Sequence, residues 1–466
     1  MGTWRERWRG LGADRPGGRP MPASVGRAAC WTVVVLFGWW WAWRRLRHTY
    51  LFYDEWSMVE RVLRNSPLDG MTADFNTHLW FFQDPIYRVQ GRWFGFDDHW
   101  FVVVVFLGAL AAFQLVLAAV LERAGVAMAP AALVATALTY LGTASQNFMF
   151  AIQVSPTIAA AAAFAPALLV VDRAPSRWRA AGVGGLLLLS ALADSSFGAV
   201  GLAFTVVLVL RRWNWRQLGA VVPAALVLLV WFGFVDHPPV AFPTSVWRQA
   251  HFAGRLVLRT AGAWLGGGAV VGAVVLVVLA AATVTALRWG VMPPGGRALA
   301  LAAAVATVVI AAGISHNRAG IPGLAWRDVN RYFQNVGVPL ALAAAPGIVG
   351  VASRFAGAAP VRRRWGVVVA CAAAVAAFAA TVPAERDYAR DFLAWNGLVR
   401  QKVDATVALL STGCPAGTIL RTDAQPAGGF SPQVTVQLVL DLMDRGLLQP
   451  QPGAVADPAV TAELCV

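Results

Sequence analysis

The stretch YLFYDEW, residues 50–56, places two acids side by side among aromatic residues, just past the first strongly apolar run of the chain. The residues that follow, EWSMVERVLR (55–64), put apolar side chains on one helical stripe and an i,i+4 Glu–Arg pair opposite it. This pattern predicts a helix on the membrane surface, which Asn-Ser-Pro then ends. Asp54 and Glu55 would lie where the first apolar helix turns into this surface helix.

The composition indicates which solvent most of the chain contacts. Of 466 residues, 58% are hydrophobic and 13% are charged, and the mean hydropathy is +0.59. A soluble chain is usually about 25% charged, so this is an integral membrane protein. The net charge of +14 does not indicate nucleic acid, because the arginines lie mainly in tails and short loops, where membrane topology and anionic lipids account for them. We therefore expect no nucleic-acid partner.

The apolar runs have the length that a helix needs to cross a hydrocarbon core about 30 Å thick. They predict an all-α polytopic membrane protein of about eleven transmembrane helices. The predicted spans are 28–45, 100–121, 129–144, 151–171, 181–193, 197–210, 218–235, 263–285, 297–313, 333–352 and 366–382.

Three regions follow from these spans. Residues 1–27 are rich in Gly, Pro and Arg and predict a disordered, basic, cytoplasmic tail. Residues 28–383 form the transmembrane domain, and its first outer loop (46–99) carries juxtamembrane helices. Residues 384–466 form a small extracytoplasmic segment with amphipathic helical pieces.

The orientation depends on whether residues 181–210 form one helix or two that meet at Asp194. With two helices, the basic tail and the basic loops all lie on one side, which the positive-inside rule assigns to the cytoplasm. With one helix, two arginine clusters would lie outside. We therefore predict two helices, a multi-pass plasma-membrane protein, a cytoplasmic N-terminus and an extracytoplasmic C-terminus.

The reactive residues concentrate in the predicted outer loops. A transporter would be expected to place ionisable groups inside its spans, and here the span interiors are mainly Ala, Val and Leu. Chemistry at one membrane interface is therefore favoured. Paired carboxylates among aromatic side chains acquire raised pKa values suited to proton abstraction, although an acid at this position can also cap a helix.

Several short motifs recur in the order and spacing of a known family, over roughly residues 28–400. The chain resembles the GT-C glycosyltransferases and, more closely, GT-C-like membrane proteins of high-GC, actinobacterial-type bacteria. The motifs that carry the resemblance are Asp54-Glu55-Trp56, Asn76-Thr77-His78-Leu79-Trp80, Tyr87-Arg88, Gln146-Asn147 through Ile152-Gln153, Asp194-Ser195-Ser196-Phe197-Gly198 and Asn330-Arg331-Tyr332.

The resemblance implies transfer of a sugar, with inversion of its anomeric carbon, from a polyprenyl-phosphate donor to a cell-envelope glycan, lipid or protein at the extracytoplasmic face. Asp54 is then the expected general base, and Glu55 would orient it or help it to bind an optional Mg²⁺ or Mn²⁺. His78 would orient the acceptor or contact the leaving phosphate, unless it is a hydrogen-bonded interfacial histidine.

Other candidate residues would bind the substrates. Arginines suit the leaving phosphate, and amides suit sugar hydroxyls. Each also has a structural reading, as an interface anchor, an interhelical hydrogen bond or a turn cap. The candidate substrate-binding residues are His78, Arg88, Gln146, Asn147, Gln153, Asp194, Arg327, Arg331 and Tyr332, and Arg318 belongs to the same basic row.

The cysteines divide between membrane and polar segment. Cys30 and Cys371 lie in apolar spans, whereas Cys414 and Cys465 lie in the predicted outer segment, where we expect a disulfide. The chain has no phosphate-cradling glycine loop, Cys-x-x-Cys or His-Glu-x-x-His motif. The rival reading is a non-catalytic membrane protein: a transporter or flippase of lipid-linked glycans, or a partner of a cell-wall synthase.

Overall fold

The computed structural model describes residues 23–75, 78–235, 237, 242–324, 330–356, 360–428, 431–451 and 455–466. Residues 1–22 of the predicted tail, and the candidate Arg327, lie outside the described residues. Residues 23–27 form the first turn of α1, and the helices of the membrane bundle follow in chain order. They are α1 (Ala23–Leu46), α5 (Trp100–Arg123), α6 (Met128–Thr139), α8 (Val154–Phe164), α9 (Pro166–Val170), α10 (Arg177–Ala193), α11 (Ser195–Arg212), α12 (Val222–Phe234), α13 (Val246–Ala263), α14 (Ala269–Arg288), α15 (Pro294–Arg318), α16 (Arg331–Ala356) and α17 (Pro360–Thr412).

Short elements lie between and after these helices. A two-stranded antiparallel hairpin, β1 (Asp74–Phe75) and β2 (His78–Leu79), interrupts the helices of the first loop. The short helices are α2 (Asp54–Arg64), α3 (Pro67–Thr72), α4 (Gln83–Phe94), α7 (Gln146–Met149), α18 (Val436–Asp444) and α19 (Pro458–Leu464), with 3₁₀ turns at Gly142–Ala144, Ala151–Gln153 and Trp215–Val221.

The helices agree with the predicted spans. Within the described part of the chain, eight helices are long and apolar enough to cross a membrane. The other three predicted spans, 28–45, 129–144 and 181–193, coincide with α1, α6 and α10. The polytopic helical fold is therefore confirmed.

Helix α13 is the main difference from the predicted spans. Its residues, VWRQAHFAGRLVLRTAGA, were expected to be loop up to residue 252 and the start of a span from residue 263. Polar residues are interspersed among the apolar ones along this helix, so it contains no continuous apolar run that would predict a span. The following span accordingly begins later than predicted, at Ala269 of α14.

The two-helix prediction around Asp194 is confirmed. Helix α10 ends at Ala193 and α11 begins at Ser195, and the Asp194 carboxylate accepts a hydrogen bond from the Phe197 N–H at 3.0 Å. The two helices approach closely here, since a Cβ added to Gly198 would lie 2.5 Å from the Cα of Ala191. A residue larger than glycine at position 198 would force them apart.

Contacts sort the helix ends into two faces. On one face, Arg27 pairs with Glu122 at 2.5 Å, and Arg212 Nε donates to the Val171 carbonyl at 2.7 Å. On the other face, Arg45 of α1 forms a two-pronged ion pair with the buried Glu385 of α17, at 2.8 and 3.3 Å. Because Arg123, next to Glu122, also pairs with Asp172, the start of α1, the loop after α9 and the end of α11 share one face, whose assignment to the cytoplasm stays a prediction.

Helix α17 is continuous over 53 residues and includes Pro383. The predicted boundary between residues 383 and 384 therefore falls inside a helix. Beyond the membrane core, Asn396 of α17 hydrogen-bonds both backbone groups of Tyr50, accepting from its N–H at 2.5 Å and donating to its carbonyl at 2.7 Å. The Phe96 N–H donates to the Leu447 carbonyl at 2.6 Å. The C-terminal segment is thus packed on the first loop.

A disulfide closes the C-terminal segment. Cys414, just after α17, is bonded to Cys465 at the end of α19, and the two Cα atoms lie 5.8 Å apart. The Ile419 N–H and the Val466 carbonyl pair alongside it at 2.7 Å. Cys30 and Cys371 are free thiols.

Replacing Asn396 should destabilise the protein. In Asn396→Ala, the buried N–H and carbonyl of Tyr50 lose their partners, so we expect a loss of about 2 to 5 kcal/mol in the free energy of unfolding. Denaturant unfolding of the purified protein in detergent measures this loss. Gln401→Ala, at an exposed position on the same helix, should leave the midpoint unchanged. An unchanged midpoint for Asn396→Ala would show that this pair does not anchor the loop.

Candidate functional site

The Glu55 carboxylate is buried, with 1% of the residue exposed. Its Oε1 accepts the Tyr87 hydroxyl at 2.8 Å, and its Oε2 accepts the Phe52 N–H at 3.1 Å. His99 Nδ1 lies 3.4 Å from Oε1. A buried carboxylate needs such donors, and because they occupy both oxygens, Glu55 is a residue that holds the start of α2 in place.

The backbone just before Asp54 is strained. Tyr53 has φ of 47°, a left-handed conformation that residues other than glycine rarely adopt. The Tyr53 N–H donates to Ser431 Oγ at 2.9 Å. The strained turn is thus held from one side by the C-terminal segment and from the other by Glu55.

Asp54 projects differently from Glu55, because successive residues of a helix point about 100° apart. Within the described residues its carboxylate makes no hydrogen bond or ion pair. Burial raises the pKa of Asp54 above its ordinary value of 3.8, while Arg331 and then Arg318 lie near enough to oppose that rise. A partly buried carboxyl with a raised pKa is suited to accept a proton.

Two arginines from different helices converge on one tyrosine beside Asp54. Arg318, at the end of α15, donates through Nε to the Tyr332 hydroxyl at 3.0 Å, and Arg331 donates to the same oxygen at 3.1 Å. The Arg331 guanidinium also lies 5.0 Å from the centre of the Tyr332 ring. This arginine pair provides a cationic surface that matches a phosphate group.

The predicted amides divide into two groups. Asn147 donates from its side chain to the Arg331 carbonyl, so it is tied to the cationic surface. Asn147 and Gln153 line one small cavity with Gln334 and Asn335, which lie about one turn after Arg331 on α16. Gln146 makes no side-chain hydrogen bond within the described residues.

His78 and Asp194 are brought together, across more than one hundred residues of sequence. His78 Nδ1 lies 3.3 Å from Asp194 Oδ2, and the Trp80 indole donates to the same oxygen at 2.9 Å. Burial raises the pKa of Asp194, but His78, the Phe197 N–H and Trp80 outweigh it and hold the pKa below its ordinary value. Asp194 is therefore a charged anchor that positions His78, which is itself partly exposed.

Arg88, the other arginine predicted for the phosphate, makes its contacts within the first loop. Its Nε pairs with Asp84 at 2.5 Å, and its other nitrogens donate to the carbonyls of Val62 at 3.2 Å and Asn65 at 2.8 Å. These bonds tie α4 to the end of α2. These contacts give Arg88 a structural role in the first loop.

The carboxylates do not fit a shared metal ion. Glu55 faces the protein interior, away from Asp54, and both of its oxygens have donors. In the part of the chain that the structure describes, no group of three His, Cys, Asp or Glu side chains could hold a metal. An Mg²⁺ or Mn²⁺ ion bound by Asp54 and Glu55 together is therefore not supported, and no step below uses one.

Some residues of the site were not predicted. Ser431 holds the Tyr53 turn, and Tyr388 of α17 lies near enough to Arg331 to interact with it electrostatically. Both come from the segment after span 11, which had no recognisable motif. Only the fold brings them to the site.

No family model matches the sequence, and no curated protein matches it. Among solved structures, ArnT from Cupriavidus metallidurans in the apo state is similar, with 16% sequence identity, a TM-score of 0.50 and coverage of 92% of this chain and 90% of that chain. ArnT bound to undecaprenyl phosphate gives 16% identity, a TM-score of 0.48 and coverage of 93% and 90%.

The chain has a GT-C-type membrane fold. This confirms the predicted fold class, with its bundle of transmembrane helices and its large first loop of juxtamembrane helices. The narrower resemblance to proteins of high-GC bacteria depends on the motifs alone.

The pKa of Asp54 gives a direct test of this geometry. Difference infrared titration, with Asp54→Asn to identify the band, should place the pKa of Asp54 above 3.8. Arg331→Gln should raise it further, because that guanidinium favours the ionised form. Arg64→Gln, on an exposed position of α2, should leave it unchanged. A lower pKa in Arg331→Gln would contradict the proximity of the two groups.

Proposed function

We propose that this protein is a membrane glycosyltransferase that moves a sugar from a polyprenyl-phosphate donor to a cell-envelope acceptor. One observation carries the proposal: a partly buried carboxyl, Asp54, which has no hydrogen-bond partner among the described residues, lies within electrostatic reach of two arginines, Arg331 and Arg318, at one end of a GT-C-type bundle. A base for the acceptor and a cationic surface for the leaving phosphate are the two groups that such a transfer needs.

The reaction follows from the positions of these groups. The acceptor hydroxyl attacks the anomeric carbon of the donor sugar and gives its proton to Asp54. The bond between the anomeric carbon and the phosphate oxygen breaks, and both electrons leave with the polyprenyl phosphate. Arg331 and Arg318 stabilise the charge that develops on that phosphate. A single displacement of this kind inverts the anomeric carbon, and Glu55 acts by holding Asp54 in place.

The remaining residues can be assigned to the two substrates. His78, held by Asp194, is suited to orient the acceptor or contact the phosphate. Asn147 and Gln153 are suited to the sugar hydroxyls, because their amides border one small cavity and Asn147 is hydrogen-bonded to the Arg331 carbonyl. We further propose that the site faces the extracytoplasmic side of the plasma membrane, in a cell envelope of the high-GC bacterial type, with the N-terminus in the cytoplasm.

Asp54→Asn tests the proposal directly. Purified protein is incubated with labelled polyprenyl-phosphate sugars and cell-envelope acceptor fractions, and transfer of the label is measured. Loss of the general base should reduce the rate by about 10² to 10⁴. Glu60→Gln, which removes an acid on the exposed side of the same helix, should keep the wild-type rate.

Two outcomes would count against the proposal. Transfer by Asp54→Asn at the wild-type rate would remove Asp54 as the base. If neither protein transfers sugar but both carry labelled lipid across liposome membranes equally, the chain is a transporter of lipid-linked glycans.

A further inference from the structure

Helix α13 carries a row of basic residues on one side. Arg248, His251, Arg255 and Arg259 follow one another at intervals of three or four residues, so they form one stripe along the helix. The sequence of the helix contains no acidic residue. Arg248, His251 and Arg255 are exposed and Arg259 is half-buried, whereas Leu256 packs into the core.

The helix lies at the same end of the bundle as Asp54 and Arg331. Before its start, the carbonyl of Phe242 sits against Gly320, two residues beyond Arg318, so closely that an added Cβ would lie 1.8 Å from that oxygen. At its end, Thr143 Oγ1 donates to the Ala263 carbonyl at 3.2 Å. Thr143 precedes Asn147 in the same loop, so both ends of α13 contact the elements that frame the site.

Composition places α13 along the membrane surface. Helix α13 is not apolar enough along its length to count as a membrane-spanning helix. Large apolar side chains nevertheless remain uncovered next to the basic stripe, with Val246 and Trp247 each 80% exposed. A basic stripe beside exposed aromatic and aliphatic residues is typical of a helix that lies in the lipid headgroup layer.

We propose that the α13 stripe binds the headgroup phosphates of anionic phospholipids in the leaflet next to the site. Charge complementarity selects this occupant, since a guanidinium pairs with a phosphodiester in a two-pronged manner. Val246 and Trp247 enter the adjoining acyl region. This binding is separate from sugar transfer and does not require it.

A local lipid probe tests the proposal. Ala250, exposed on α13, is replaced by Cys in a full-length protein carrying Cys30→Ala and Cys371→Ala, and the new thiol is labelled with a fluorophore. The protein is reconstituted in phosphatidylcholine vesicles that contain either brominated phosphatidylglycerol or brominated phosphatidylcholine. The ratio of quenching by the two brominated lipids reports local enrichment of the anionic lipid.

Wild type should show an enrichment of about fivefold or more, which is the preference that one arginine provides near an anionic surface. Arg248→Gln with Arg255→Gln should bring the ratio close to one, and Arg248→Lys with Arg255→Lys should largely keep it. Arg211→Gln with Arg288→Gln removes two exposed charges at the other end of the bundle and should leave the ratio unchanged.

The contrary results are equally specific. Equal quenching by both lipids in wild type, or unchanged enrichment in the double glutamine variant, would overturn the proposal. If added polyprenyl phosphate accumulates at the probe while phosphatidylglycerol does not, the stripe belongs to the donor lipid and the proposal is wrong. None of these results depends on whether the protein transfers sugar.

Discussion

Burial of the Glu55 carboxylate is the constraint on which the geometry of the site depends. A carboxylate removed from water is stable only when donors surround it, and removing one partner of a buried charge costs about 3 to 5 kcal/mol. Here the donors come from the preceding turn, through the Phe52 N–H, and from a second helix, through Tyr87. They set the direction in which α2 leaves the membrane. Because Glu55 points into the interior, Asp54, the residue before it on α2, points in a different direction, towards Arg331.

The C-terminal segment completes this arrangement from the opposite side. Asn396 and Ser431 satisfy backbone groups of Tyr50 and Tyr53, on either side of the aromatic run that leads to Asp54. The disulfide limits how far this segment can separate from α17. The candidate base is therefore carried by a loop that is fixed at several points, as preorganised catalysis requires. The left-handed backbone conformation of Tyr53 is tolerated because hydrogen bonds on both sides of it hold the chain in place.

The sequence allowed most of the bundle to be predicted, because a continuous apolar run of about 20 residues predicts a helix that crosses the bilayer. It also indicated the pairing of Asp54 with the Arg331 region, through motifs. It did not reveal α13, in which polar and apolar residues share one helix, nor the inward orientation of Glu55. The structural role of Arg88 and the contributions of Asn396 depend on partners that no local pattern specifies. These contacts join residues far apart in sequence, so only the three-dimensional fold defines them.

The uninterrupted helix α17 has a mechanical consequence. Its 53 residues correspond to about 80 Å at 1.5 Å per residue, which is well beyond the thickness of a bilayer. This single helix connects the membrane bundle, Tyr388 near the arginine pair and the disulfide-closed C-terminal segment. Pro383 removes one backbone hydrogen bond from this helix, and the Arg45–Glu385 ion pair lies two residues further on, so the pair supports α17 against α1 where its own backbone is weakest.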